Sequence, residues 1–399
     1  MTLVMTRPGR SPIEQALTWG TATSSLAKGL LFGVSALFFT RVIGLSAPTV
    51  GLGLTIAGGV GLAGAFGSGY LADRLGARRV LLATTVAQGA ALGAYTIARS
   101  AWVFVLIAGV AVGSEAAQRT ARTTLLARQF TGGDRVEVRA RLRVVTNVFI
   151  GIGSLAAAGA LTVDTAAAYA ATMAVAAVLV LSATIPLRRL PEPPRAHEDR
   201  HRTPLRDYRY IGIAALNGLL TIQFGLLTVG VPLWVTGHTR APAATVAALL
   251  VINTAFVALF QVRAARLATD VRTAGRVVFA AAGALTVACL LYAAAADGPV
   301  AVATVLLVLG VLAHSTGEVL AEAGGWELAF ELADPRNAGA YQGVSQTGPA
   351  VGAMLAPAMV TSTAIEHGGP GWAVLAGTFL VAGAGTAVLA ATAVRRSGE

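Results

Sequence analysis

Twelve apolar runs, each close to or longer than the about 20 residues a helix needs to cross a bilayer core, dominate this 399-residue chain. They fall at roughly 18–42, 49–71, 79–98, 102–125, 144–162, 166–187, 210–235, 243–262, 276–296, 299–321, 340–362 and 372–394. Twelve such runs cannot all be hidden from water in one soluble domain, so lipid must be the second solvent. Only 12% of the residues are charged, against about 25% in an average soluble domain. The class predicted is an all-α membrane protein with twelve transmembrane helices. Cys289 is the only cysteine, so no intrachain disulfide can form. The first run follows a short arginine-bearing leader without a small-residue cleavage site, and reads as a retained span.

The net charge of +11 does not indicate a nucleic-acid partner, because the basic residues stand between the apolar runs rather than on one polar face. With the N-terminus in the cytosol, the inner segments hold 24 arginines and the outer loops only Arg41, Arg99 and Arg240. That asymmetry predicts a multi-pass protein with both termini cytosolic. The longest polar stretch, Leu187 to Arg209, contains Pro191, Pro193, Pro194 and many charges. It reads as a cytosolic linker over 188–209 between an N-terminal six-helix half (1–187) and a C-terminal one (210–399).

Between the second and third runs stands Gly69-Tyr70-Leu71-Ala72-Asp73-Arg74-Leu75-Gly76-Ala77-Arg78-Arg79. This resembles the loop signature of the major facilitator superfamily. The resemblance implies two six-helix pseudo-repeats around a central cavity, and a small-molecule transporter that works as a monomer without a cofactor. The second half echoes the loop weakly, as Arg263-Ala264-Ala265-Arg266-Leu267-Ala268-Thr269-Asp270, without the glycines. Drug–proton antiporters of the superfamily carry Gly-Pro in span five. Here that span has Gly151, Gly153 and Gly159 but no proline, and Gly348-Pro349-Ala350-Val351-Gly352 lies instead in span eleven. The glycines read equally well as points of close helix packing.

Six charged residues fall within the predicted spans: Lys28, Glu115, Arg119, Arg122, Glu318 and Glu322. A charge near the bilayer centre costs about 2.5–3.5 kcal/mol on insertion scales, so each calls for a reason. Glu115, Arg119 and Arg122 share one face of span four, and His314, Glu318 and Glu322 one face of span ten. Opposite signs at matched depths predict that Arg119 and Arg122 approach Glu318 or Glu322 as a gate. Lys28 is the only lysine among 30 basic residues. It lies about 15 Å into span one at 1.5 Å per residue, near the middle of the core. Phe32, Phe38 and Phe39 on the same run read as core rather than a substrate box.

These residues divide into three sets. Lys28, Glu115, Arg119, His314 and Glu318 are the candidates for proton coupling and substrate contact. Asp73, Arg74, Arg78, Arg79, Arg122 and Glu322 are the candidates for a cytosolic gate. Asn147, Asn217, Gln223, Asn253, Tyr341, Gln342, Ser345 and Gln346 lie in spans that the resemblance places around the cavity. No metal cluster, serine–histidine elbow or phosphate-binding Gly-x-x-x-x-Gly-Lys loop is present in the sequence, which argues against an enzyme and against direct ATP drive. The Ala, Gly and Arg usage points to a GC-rich bacterial genome, hence the bacterial cytoplasmic membrane. The expected partners are a small-molecule substrate, protons and the lipid bilayer. The function expected by analogy is proton-coupled export of small amphipathic compounds such as drugs or natural products. A proton-coupled importer of a metabolite or peptide is the alternative in transport, and a membrane sensor or assembly factor the alternative outside it.

Overall fold

The computed structural model describes residues 11–98, 100–192, 203–296 and 298–397. The leader arginines Arg7 and Arg10, the loop arginine Arg99 and positions 193–202 of the linker lie outside the described residues. Twelve long helices follow one another, and no β-strand occurs among the described residues. They are α1 (Pro12–Leu37), α2 (Pro48–Leu75), α3 (Ala77–Ile97), α4 (Ala101–Gln129), α5 (Gly133–Val163) and α6 (Ala166–Leu187), then α7 (Tyr208–His238), α8 (Ala244–Ala265), α9 (Val271–Ala294), α10 (Val300–Glu331), α11 (Pro335–Ile365) and α12 (Gly369–Ala393).

Helices α2 to α12 are long and apolar enough to cross a membrane. The 26-residue α1 has the length but is more polar, because Thr18, Thr21, Thr23, Ser24, Ser25 and Lys28 crowd its middle. Its start is fixed locally: Ser11 Oγ accepts the Glu14 amide at 3.1 Å and Pro12 takes the first helical position. Three helices outrun their apolar cores. The 31-residue α5 begins at Gly133, about three turns before the apolar run, and α4 and α10 continue to Gln129 and Glu331. Charged residues end these runs, arginines on α4 and α5 and Glu322, Glu327 and Glu331 on α10, so hydropathy alone stops short of the helix ends.

The chain packs into two compact units. The first holds Met1–Gly64, Arg74–Leu125 and Val145–Arg195; the second holds Ala65–Asp73, Leu126–Val144 and Ala196–Glu399. In the first, α1 and α5 touch backbone to backbone: a Cβ on Gly29 would overlap the Ile150 carbonyl, and one on Gly153 the Leu26 carbonyl. In the second, α7 and α11 do the same, with Gly348 against the Ala214 carbonyl and Gly352 against that of Gly218. In span eleven Gly348 and Gly352 both serve close helix approach, whereas in span five Gly153 alone does and a Cβ on Gly151 or Gly159 would meet open space. The first unit's outer core is aromatic, with the Phe39 ring 4.8 Å from those of Tyr95 and Phe104. Phe38 is buried there as well, whereas Phe32 is 64% exposed. In the second unit Trp234, Tyr292 and Trp372 cluster, and Trp234 Nε1 donates to the Tyr292 carbonyl at 2.7 Å.

Candidate functional site

The first unit carries an ion cluster on α1 and α4. Lys28 Nζ lies 2.7 Å from Glu115 Oε1, with the two side chains 36% and 33% exposed. One turn along α4, Arg119 Nη1 reaches the same carboxylate oxygen at 3.7 Å. A further turn on, Arg122 feels both Glu115 and Arg119 electrostatically, and its buried Nε has no protein partner. The close contact of α1 with α5 through Gly29 fixes the height of Lys28, whose ammonium stands 5.6 Å over the Phe32 ring. Also on α4, Gln118 donates to Gln88 at 2.8 Å and to the Thr84 carbonyl at 3.2 Å, which anchors α4 to α3.

Other members of the predicted sets in this unit lie away from that cluster. Arg78 donates to the Arg188 carbonyl, and Arg79 is 3.9 Å from Glu192. Arg74 is exposed and Asn147 is half-buried on α5. Gly76, between α2 and α3, holds φ at +98°, a conformation open to glycine and strained for other residues.

The second unit carries two constellations. In one, Asp73 accepts the Gly339 and Ala340 amides at 2.8 and 2.7 Å and pairs with Arg128 at 2.5 Å. Those amides open the regular part of α11, so Asp73 caps that helix from another element. Its negative charge meets the positive end of the helix dipole. Gly69 makes the approach possible, because a Cβ there would overlap the Gly339 carbonyl. The loop signature is thus a helix cap with an arginine clamp. Asp270, its echo in the second half, caps its own helix instead: Oδ1 accepts the Arg272 and Thr273 amides at 2.8 and 3.0 Å.

The other constellation surrounds Glu318. Its carboxylate accepts from Asn253 Nδ2 at 2.9 Å and lies 3.4 Å from Arg143 Nη2, and Asn253 also donates to Ser315 at 3.0 Å. Arg143 stacks at 5.1 Å over Phe224, and Arg139 at 4.8 Å over Trp326, where it feels the charge of Glu322. Arg135 pairs with Glu331. The arginine that meets Glu318 is therefore Arg143, whereas the arginine expected there, Arg119, turns to Glu115 on its own helix. Arg139 and Arg143 precede the apolar run, so hydropathy alone assigns them to a loop. Their signal was the spacing of Arg135, Arg139 and Arg143, which at i, i+4, i+8 marks one helix face.

His314, one turn above Glu318, is fully buried with neither ring nitrogen bonded to protein, and the Tyr292 ring lies 6.4 Å away. Among the polar candidates, Tyr341 donates to Asp207 at 3.2 Å and Gln342 to the Ala329 carbonyl at 2.8 Å. These two tie helix ends together. Asn217 packs against Gly325, Gln223 and Ser345 are buried, and Gln346 is half-buried.

Among the described residues, eleven helices long and apolar enough to cross a membrane, packed closely through glycines, define a multi-pass membrane protein. The Major Facilitator Superfamily model matches residues 17–357, and the chain belongs to that superfamily. An uncharacterized MFS-type transporter of Bacillus subtilis, YqjV, is 26% identical over 96 residues, which is 24% of this chain and 23% of that protein. The chain thus matches about a quarter of that relative's length. Among solved structures, FucP in its outward conformation superimposes with a TM-score of 0.74 at 12% identity, over 95% of this chain and 99% of that one. A bacterial homologue of the iron transporter ferroportin in its outward-facing state gives 0.72 at 13%, over 97% and 100%. The human organic anion transporter MFSD10 gives 0.70 at 16%, over 95% and 100%. At these identities the likeness is one of fold.

Proposed function

We propose that this transporter is proton-coupled and exports small amphipathic compounds, such as drugs or natural products, by alternating access across a bacterial cytoplasmic membrane. The observation that carries the reading is the Lys28–Glu115 pair. It joins α1 to α4 at 2.7 Å and still keeps about a third of each side chain exposed. Partial exposure spares the two charges part of the desolvation cost that complete burial imposes. A pair left accessible can exchange partners with a proton or a substrate. Lysine is suited to that work because it can release its proton, which arginine does not. Glu318 supplies a second carboxylate, held by Asn253 and Arg143.

The loop cap gives the cycle a switch. Asp73 bound to the first amides of α11 holds one arrangement, and release of those two hydrogen bonds and the Arg128 pair frees it. The arginine asymmetry supports a cytosolic side for these ends and for both termini. The test is proteoliposomes with an imposed pH gradient, an internal pH dye and a panel of amphipathic compounds. Compound-driven proton release from the acidic lumen marks exchange, and its polarity separates export by antiport from import by symport. Compound flux indifferent to the gradient contradicts proton coupling.

A further inference from the structure

The two ion clusters differ in charge balance. In the second unit, Arg139 and Arg143 face Glu322 and Glu318, two cations for two anions. In the first unit, Lys28, Arg119 and Arg122 all act on Glu115, three cations for one anion. Glu115 is engaged twice, by Lys28 at 2.7 Å and by Arg119 at 3.7 Å, and the buried Nε of Arg122 has no partner. A surplus of positive charge at membrane depth is unfavourable unless an anion completes it. Beside it stands an apolar surface: Phe32, one turn above Lys28 on α1, is 64% exposed with the ammonium over its ring at 5.6 Å.

We propose that the α1–α4 cluster takes the anionic group of an amphipathic organic anion, a carboxylate or a phosphate, whose apolar body lies on Phe32. The proposal rests on the transporter reading and names the substrate class of that site. In the free protein Glu115 occupies Lys28 as an internal stand-in for the ligand. An arriving anion takes Lys28 and Arg119 from Glu115, so ligand and Glu115 compete for the same cations. Removing that competitor must tighten binding, an effect a merely structural glutamate would not produce.

The experiment uses full-length protein in lipid nanodiscs, with calorimetric titration of four probes that share a phenyl body and empty nanodiscs as the blank. The probes are 4-phenylbutyrate, phenyl phosphate, the neutral 4-phenylbutanol and the cationic 4-phenylbutylamine. At least one anion is expected to bind roughly tenfold or more tightly than the alcohol or the amine, the worth of a charge-assisted hydrogen bond. Which anion binds better separates carboxylate from phosphate. Lys28→Gln is expected to lose most of the preference, Lys28→Arg to keep it, and Glu115→Gln to strengthen it. The Glu115→Gln gain carries the test even if Lys28→Gln is not recovered folded. Preference for the amine, equal binding of all four, no binding, or weaker anion binding in Glu115→Gln each overturns the proposal. Anion binding without compound-driven proton movement contradicts the coupled-transporter reading and leaves the anion site standing.

Discussion

Lys28 on α1 and Glu115 on α4 form an ion pair at 2.7 Å although 87 residues separate them in sequence. The pair joins the chain's only lysine to the first acidic residue beyond Asp73. Around it, α1 is locked to α5 by Gly29 and Gly153, and α4 to α3 by Gln118. The cations of this cluster outnumber its single carboxylate, whereas those around Glu318 are matched.

The Arg143–Glu318 pair predicts a rescue. Arg143→Glu and Glu318→Arg each leave an uncompensated charge among buried groups and should reduce transport strongly. The double exchange should recover part of it, with a coupling energy on the order of 0.5–3 kcal/mol. Transport rates of the four proteins check this. Strictly additive losses contradict direct pairing. The corresponding exchange of Arg119 with Glu318 should show no rescue, because Arg119 is engaged by Glu115.

Asp73→Ala removes a cap and an arginine partner together. The cap alone is worth about 1 kcal/mol, so exchange of the Gly339 and Ala340 amides should speed up roughly fivefold or more. Asp73→Asn keeps an acceptor and should fall between. Hydrogen exchange read by mass spectrometry on peptides from the start of α11 decides it. Unchanged protection in Asp73→Ala contradicts the role of Asp73 as a cap.

Asp270 gives a pH signature. The Thr273 amide, foremost, holds its carboxyl below the ordinary carboxylate range, with the Thr273 hydroxyl and the Arg272 amide adding to the effect. A group whose pKa is lowered on folding contributes stability that is fully present above its unfolded value and lost as pH falls through its folded value. Asp270→Ala should therefore loosen the first turn of α9 by about 1 kcal/mol at neutral pH. The difference from wild type should vanish under acid conditions. Exchange rates of α9 peptides compared at neutral and acid pH provide the check. A difference that persists in acid contradicts the assignment.

Orientation has its own test. A cysteine at His197, in a Cys289→Ser background, should resist an impermeant thiol reagent in right-side-out vesicles and react in inverted ones. The native Cys289 is fully buried and contributes little labelling. The reverse pattern contradicts cytosolic placement of the linker.

How far the sequence could be read depended on the range of each force. Hydropathy acts over a whole helix, so all twelve helices were visible in order. It failed at α5, where Arg135, Arg139 and Arg143 extend the helix past the apolar run. The loop signature was legible as a motif, but the amides Asp73 meets lie 266 residues away, and no local pattern announces them. The charged faces of α4 and α10 followed from i, i+4 spacing. Their partners did not, since sign and depth were as compatible with Arg119 as with Arg143 for Glu318. Lys28 stood out by being the wrong base for this chain, and its pairing with Glu115 needed three dimensions.

The central claim is that Lys28, paired with Glu115, links proton movement to transport. The measurement that tests it most directly is the pH dependence of compound-driven proton flux in proteoliposomes bearing wild-type or Lys28→Arg protein at equal, folded density. Arginine keeps the charge and the pair with Glu115 but does not give up its proton. The account predicts that Lys28→Arg binds substrate and loses gradient-driven proton exchange. Normal flux with the wild-type pH profile in Lys28→Arg would contradict it.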